Sequence, residues 1–149
     1  MNVKGVNNIS FGYSHPIKKA FDKGLLGKDF KGLYGIKLTS KNRTIEHIKP
    51  HSQGGKTITG NVALADKGMN AKRGIEPIEK YVTFEMWKSY LKQFEKIKNK
   101  FIDGMGYIKA ICKEQGFDIK EILKWKEKNH EWRNETSITW MLWKKLWSY

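Results

Sequence analysis

A single cysteine, Cys112, stands in this chain of 149 residues. One thiol can neither close an internal disulfide nor supply the paired thiolates of a zinc ribbon, so any fold must be held together by packing alone. Taken by itself, Cys112 reads as a small buried apolar residue. Hydrophobic residues make up 39% and charged residues 30%, which suits one compact domain or a small core with an appendage and argues against a collagen, a disordered tail or a multidomain enzyme. Residues 1–10 hold one lysine and no apolar run, and no stretch approaches the ~20 apolar residues needed to span a bilayer. The expectation is a soluble, unexported protein with no membrane partner.

Lys and Arg number 29 against 15 Asp and Glu, a net charge of +14. Such an excess points to a polyanionic partner, nucleic acid first. It is unevenly spread: residues 1–75 carry 14 basic and 4 acidic side chains (+10), residues 76–149 carry 15 and 11 (+4). Surface helices usually alternate signs, so the second half reads as solvated helices and the first as the place for a phosphate backbone.

Ser14-His15-Pro16 is a helix start, with Ser14 as N-cap, Pro16 in the first turn, and Ile17, Ala20 and Phe21 at helical spacing up to Gly24. Segments Leu33–Leu38 and Thr44–Ile48 are β-prone, and Ser40-Lys41-Asn42-Arg43 between them has turn chemistry, so a hairpin is expected there. Pro50 and Gly54-Gly55 then impose a loop of about a dozen residues, longer than a mere connector needs. Asp66 can cap a short helix through Asn70, Lys72 and Arg73, with Gly74 as its stop. Hairpin, loop and helix make one ββα unit.

After Pro77 the apolar spacing changes to three or four. Trp87, Tyr90, Leu91, Phe94, Ile97 and Phe101 predict one long amphipathic helix, interrupted at Gly104 and Gly106. Further helices are predicted over Tyr107–Lys113, from Asp118 to about Lys128, and over Ser137–Trp147. Five of the six tryptophans, Trp125, Trp132, Trp140, Trp143 and Trp147, lie in the last 25 residues. Residues 140, 143 and 147 form a stripe that suits packing against the long helix; a self-association or protein-partner surface and base stacking are the alternatives.

The chemistry-bearing residues are Glu46 and His47 at the end of a predicted strand, Asn61, and Asn70 in the short helix. A helix packed across the hairpin would bring Asn70 toward the carboxylate and imidazole, and carboxylate and amide oxygens are hard ligands suited to Mg²⁺. The stretches Thr44-Ile-Glu-His-Ile-Lys-Pro-His-Ser-Gln-Gly-Gly55, Gly60-Asn-Val-Ala-Leu64 and Met69-Asn-Ala-Lys-Arg-Gly74 resemble the HNH endonuclease family, in its HNN variant, over about 40 residues from Leu33 to Gly74. The resemblance implies an α+β fold with a ββα-metal core over residues 33–75, between a helical lead-in (1–32) and an all-helical extension (76–149).

It also implies a DNA phosphodiesterase that nicks one strand per active site. His47 would be the general base, Asn61 the brace of the loop that orients it, and Glu46 with Asn70 the ligands of one divalent metal, Mg²⁺ with Mn²⁺ as a substitute. Glu46 stands where many members have Asp, and the Cys-x-x-Cys zinc knuckles of many members are absent. Lys72, Arg73, Lys49 and the loop histidine His51 are candidates for DNA phosphates; His15 and His130 read as surface residues. The small size is similar to free-standing family members of phages and mobile elements, which implies the cytoplasm of a bacterial host cell. The rival is an HNH-derived module that keeps the basic surface and binds DNA or protein through its helical half, with weak or no cleavage.

Overall fold

A computed structural model describes residues 15–123. The Ser14 cap, His130, the Trp-rich segment from Trp125 on and the helix expected over Ser137–Trp147 lie outside the described residues. Within them the protein is α+β, a two-stranded antiparallel sheet set among short helices.

Helix α1 (Pro16–Asp22) starts on the proline, whose fixed φ suits a position with no intrahelical N–H partner. Its cap is His15: Nδ1 accepts from the Ile17 N–H at 3.2 Å. His15 is therefore buried, correcting its reading as a surface residue. Ile17 and Ala20 fix the helix to the core.

The two strands are β1 (Arg43–His47) and β2 (Val62–Asp66), paired antiparallel in the register Arg43↔Asp66 to His47↔Val62. The expected partner, Leu33–Leu38, is not a strand. Gly35 adopts φ +81°, and the Gly32 N–H donates to Ile36 O at 2.9 Å, so the chain turns back on itself where apolar alternation suggested extension. Leu33 and Leu38 are buried, and the Leu33 N–H caps Leu64 O at 2.8 Å. Gly32 lies so close to β2 that a Cβ would stand 3.0 Å from Ala65 Cα. The hairpin thus closes over the long loop, residues 48–61, rather than before it.

Helix α2 (Lys67–Arg73) follows β2 at once. Asp66 caps it, accepting from the Met69 N–H at 3.0 Å, and Gly74 ends it at φ +58°. Strand, loop, strand and helix follow one another directly, an order that differs from the expected hairpin, loop and helix.

The long helix expected over Trp87–Phe101 stops early. Helix α3 (Phe84–Lys92) begins on a Thr83 cap and gives way to turns. Gly104 packs there against the α3 exit, where a Cβ would stand 1.8 Å from Phe94 O, and its N–H donates to Ile97 O at 2.7 Å. Gly104 and Gly106, expected as interruptions, lie inside helix α4 (Gly104–Gln115).

These helices complete the sheet. A free β-edge leaves donors and acceptors unpaired, and two buried tyrosines cap the edge of β2. The Leu64 N–H donates to the Tyr90 hydroxyl at 2.9 Å, and the Tyr107 hydroxyl donates to Val62 O at 2.7 Å, with 2.9 Å between the two hydroxyls. Burial pushes both phenols far above their ordinary pKa, so they stay neutral hydrogen-bonding groups. Phe30, Phe94 and Trp87 pack edge-on around Tyr90. Cys112 is buried in the same core, as expected. No helix among the described residues is long and apolar enough to cross a membrane.

Candidate active site

Adjacent positions on a strand face opposite ways, and Glu46 and His47 at the end of β1 accordingly have separate sets of partners. Glu46 is 2% exposed. Its Oε1 accepts from Arg73 Nη1 at 3.0 Å and its Oε2 accepts from the Tyr34 hydroxyl. Asn70, one turn before Arg73 on α2, faces the remaining sides of the carboxylate: with its amide nitrogen turned inward it donates to Oε1 at 2.8 Å and to Oε2 at 3.2 Å. Burial pushes the Glu46 carboxyl up, against the pull of the Tyr34 hydroxyl and the Arg73 guanidinium. The Tyr34 hydroxyl is itself raised, by burial and then by the carboxylate it serves.

Arg73 is the largest correction to the expected site. Placed by sequence among the DNA-phosphate contacts, it is 1% exposed. Besides Glu46, its guanidinium donates to His47 O at 2.9 Å and Ile48 O at 2.6 Å, while Nε donates to Glu76 O at 2.7 Å. It clasps the β1 exit to the chain after α2 with four of its five N–H donors, and its burial keeps it out of reach of DNA. Lys72, its neighbour, is exposed, as are Lys49 and His51.

His47 is half-buried at the mouth of the loop. Its Nε2 lies 2.8 Å from the Thr57 hydroxyl, and its ring stands 6.0 Å, centroid to centroid and edge-on, from that of His51. No hydrogen bond is made at Nδ1 among the described residues. Burial, and then the charge of His51, hold its pKa below the ordinary histidine value, so the imidazole is neutral and able to accept a proton at pH 7.

The loop that presents these groups is tied by one buried side chain. Asn61 is 5% exposed. Its Oδ1 accepts from the Lys49 N–H at 2.8 Å, and its Nδ2 donates to Lys49 O at 3.1 Å and Lys56 O at 2.9 Å. Its own turn is pinned by α4, since Gly60 approaches that helix so closely that a Cβ would stand 2.6 Å from Ala110 O. Gly55 makes the complementary close pass, where a Cβ would stand 1.8 Å from Lys49 O. Helical extension and loop are thereby mechanically joined.

Sequence reasoning missed Tyr34, which lies 12 residues before Glu46 in a segment read as a strand, and Thr57, an unmarked loop residue. Neither carries a local signal; only the fold brings them to the site.

Among the described residues, no three His, Cys, Asp or Glu side chains stand together so as to hold a metal ion. Glu46 and Asn70 are adjacent hard-oxygen groups, and the lone pairs of Glu46 left by Tyr34 and Arg73 face the Asn70 amide. With Glu46 2% exposed, that pair would suit a cation that takes few protein ligands and completes its shell with water and phosphate only once the Asn70 amide presents its oxygen and the carboxylate opens to solvent. No protein family, curated protein or solved structure matches this chain.

Proposed function

We propose that this chain is an HNH-type endonuclease that hydrolyses DNA phosphodiester bonds with a divalent metal, built on a ββα-metal core. The observation that carries this reading is the Asn61 clamp. A buried amide spends both its ends holding a loop, and the residue that loop serves is a half-exposed, neutral histidine.

His47 takes a proton from the attacking water, a role often worth ~10²–10⁴ in rate. Asn61 keeps the loop in place so that the imidazole is already oriented when substrate arrives. Glu46 and Asn70 are the groups that would hold Mg²⁺ or Mn²⁺, and the ion would supply Lewis-acid stabilisation of charge on the phosphate and the leaving oxygen. Exposed Lys49 and His51 lie on the loop that follows His47, and exposed Lys72 lies on α2; all three suit nearby phosphates. Arg73 works from below, fixing Glu46 and the backbone of His47 and Ile48.

A binding-only role is favoured by one feature: Glu46 is nearly sealed from solvent and already neutralised by Arg73, which weakens its pull on a further cation. Incubation of the full chain with supercoiled plasmid and Mg²⁺ or Mn²⁺ separates the two readings. The nuclease converts supercoiled to relaxed circles in a metal-dependent way. A mobility shift without relaxed circles would overturn the nuclease reading.

The basic surface makes a second prediction. Each lysine–phosphate contact on duplex DNA contributes ~0.9 to the slope of log K against log salt. Lys49→Ala with Lys72→Ala should flatten that slope by up to about two units and weaken all sequences alike. Lys80→Ala, at a lysine already paired with Glu76, should leave it nearly unchanged. An unaltered slope in the double variant would move the DNA to another face.

A further inference from the structure

We propose that Thr57 is the positioning residue of His47, and that Asn61 acts on the histidine through it. The inference rests on the reading of His47 as general base, but its geometry stands independently. Thr57 Oγ1 lies 2.8 Å from His47 Nε2. The residue before it, Lys56, gives its carbonyl to the buried Asn61 amide at 2.9 Å. A clamp at Lys56 therefore fixes the backbone that carries the Thr57 hydroxyl, and that hydroxyl fixes the ring. The strand holds the imidazole at one end and the loop holds it at the other.

The contact also decides which nitrogen works. A neutral imidazole has one N–H and one lone pair, and the partner of one nitrogen sets the state of the other. Nε2 is engaged by Thr57, while Nδ1 has no hydrogen bond among the described residues. When Thr57 accepts from Nε2–H, the lone pair resides on Nδ1, the nitrogen free to meet a water. The proton taken from that water goes to Nδ1, giving an imidazolium whose Nε2–H still rests on the threonine. Thr57 neither gives nor takes a proton in the reaction; it acts by holding the ring in one orientation and one tautomer.

Thr57→Val keeps the shape and removes the hydroxyl, whereas Thr57→Ser keeps the hydroxyl. Single-turnover nicking by the full chain should fall about tenfold in the valine variant, the loss of one orienting hydrogen bond. The serine variant should stay within about twofold, and DNA affinity should be unchanged in both. A second readout needs no activity: nitrogen-15 NMR of the histidine side chains at pH 8. The parent and the serine variant should show His47 as the Nε2–H tautomer with an observable Hε2 proton, and that signal should be lost to solvent exchange in the valine variant.

A His47 Nδ1–H tautomer in the parent, or an Hε2 signal untouched by Thr57→Val, would overturn the proposal. If the NMR behaves as expected while the parent never nicks DNA, the positioning contact stands and the nuclease reading fails.

Discussion

His47→Ala is expected to lower plasmid nicking by ~10²–10⁴, the usual worth of a positioned general base, while leaving the fold and DNA affinity almost intact. The side chain is half-exposed and its one hydrogen bond is to an exposed threonine, so truncation creates no buried cavity and strands no buried polar group. On the proposed function the phosphate contacts fall to exposed lysines rather than to His47, so binding isotherms should overlay those of the parent. Burial and His51 hold the imidazole below the ordinary histidine pKa. A base with a lowered pKa stays unprotonated further into acid, so the acid limb of the parent's pH–rate profile should lie below about 6.5. Nicking within about threefold of the parent, only ~0.6 kcal/mol of barrier, would exclude His47 as the base.

The residues that proved legible in sequence are those whose structural role is settled within a few positions. Asp66 and Gly74 bound α2 because a cap needs an acceptor at one end and a permissive backbone at the other, both local demands. The long loop followed from Pro50 and the glycine pair, and Gly55 does occupy a place where no Cβ fits. Asn61 was legible as a brace through the family resemblance rather than through its own chemistry.

What could not be read was pairing at a distance. β-Propensity says that Leu33–Leu38 fits a pleated, half-buried surface but does not name a partner; β2 won because Val62–Ala65 is buried throughout and lies across the loop from β1. A basic residue in the last turn of a helix reads equally as a dipole complement or a phosphate contact. Only the arrival of Glu46, 27 residues away in sequence, turns Arg73 inward. The long helix failed for a similar reason: its 3.6-residue period continues past Lys92, but the close pass of Gly104 beneath Phe94 competes with further helix.

The same buried pair carries the largest effect expected on stability. Arg73→Met keeps much of the apolar stem and deletes the guanidinium, leaving the Glu46 carboxylate buried without its cation and three backbone carbonyls, of His47, Ile48 and Glu76, without a donor. Breaking one side of a buried ion pair costs ~3–5 kcal/mol, a large share of the ~5–15 kcal/mol that holds a typical domain together. Urea unfolding should show that loss as a lower midpoint with an unchanged slope.

Glu46→Gln in the same background removes the stranded charge while keeping acceptors and a donor near Tyr34 and Asn70. The double variant should therefore be more stable than Arg73→Met alone, a positive coupling between the two sites. The pH dependence gives the sign. Without Arg73 the folded-state pKa of Glu46 rises further above its unfolded value, so the folded variant binds the proton more tightly than the unfolded chain. Its deficit relative to the parent should be full above that raised pKa and shrink as pH falls toward the ordinary glutamate value. A loss under ~1 kcal/mol, as for a surface pair, or a deficit that grows as pH falls, would mean that Arg73 does not neutralise Glu46. The carboxylate would then be free for the divalent cation without competition from the protein's own arginine.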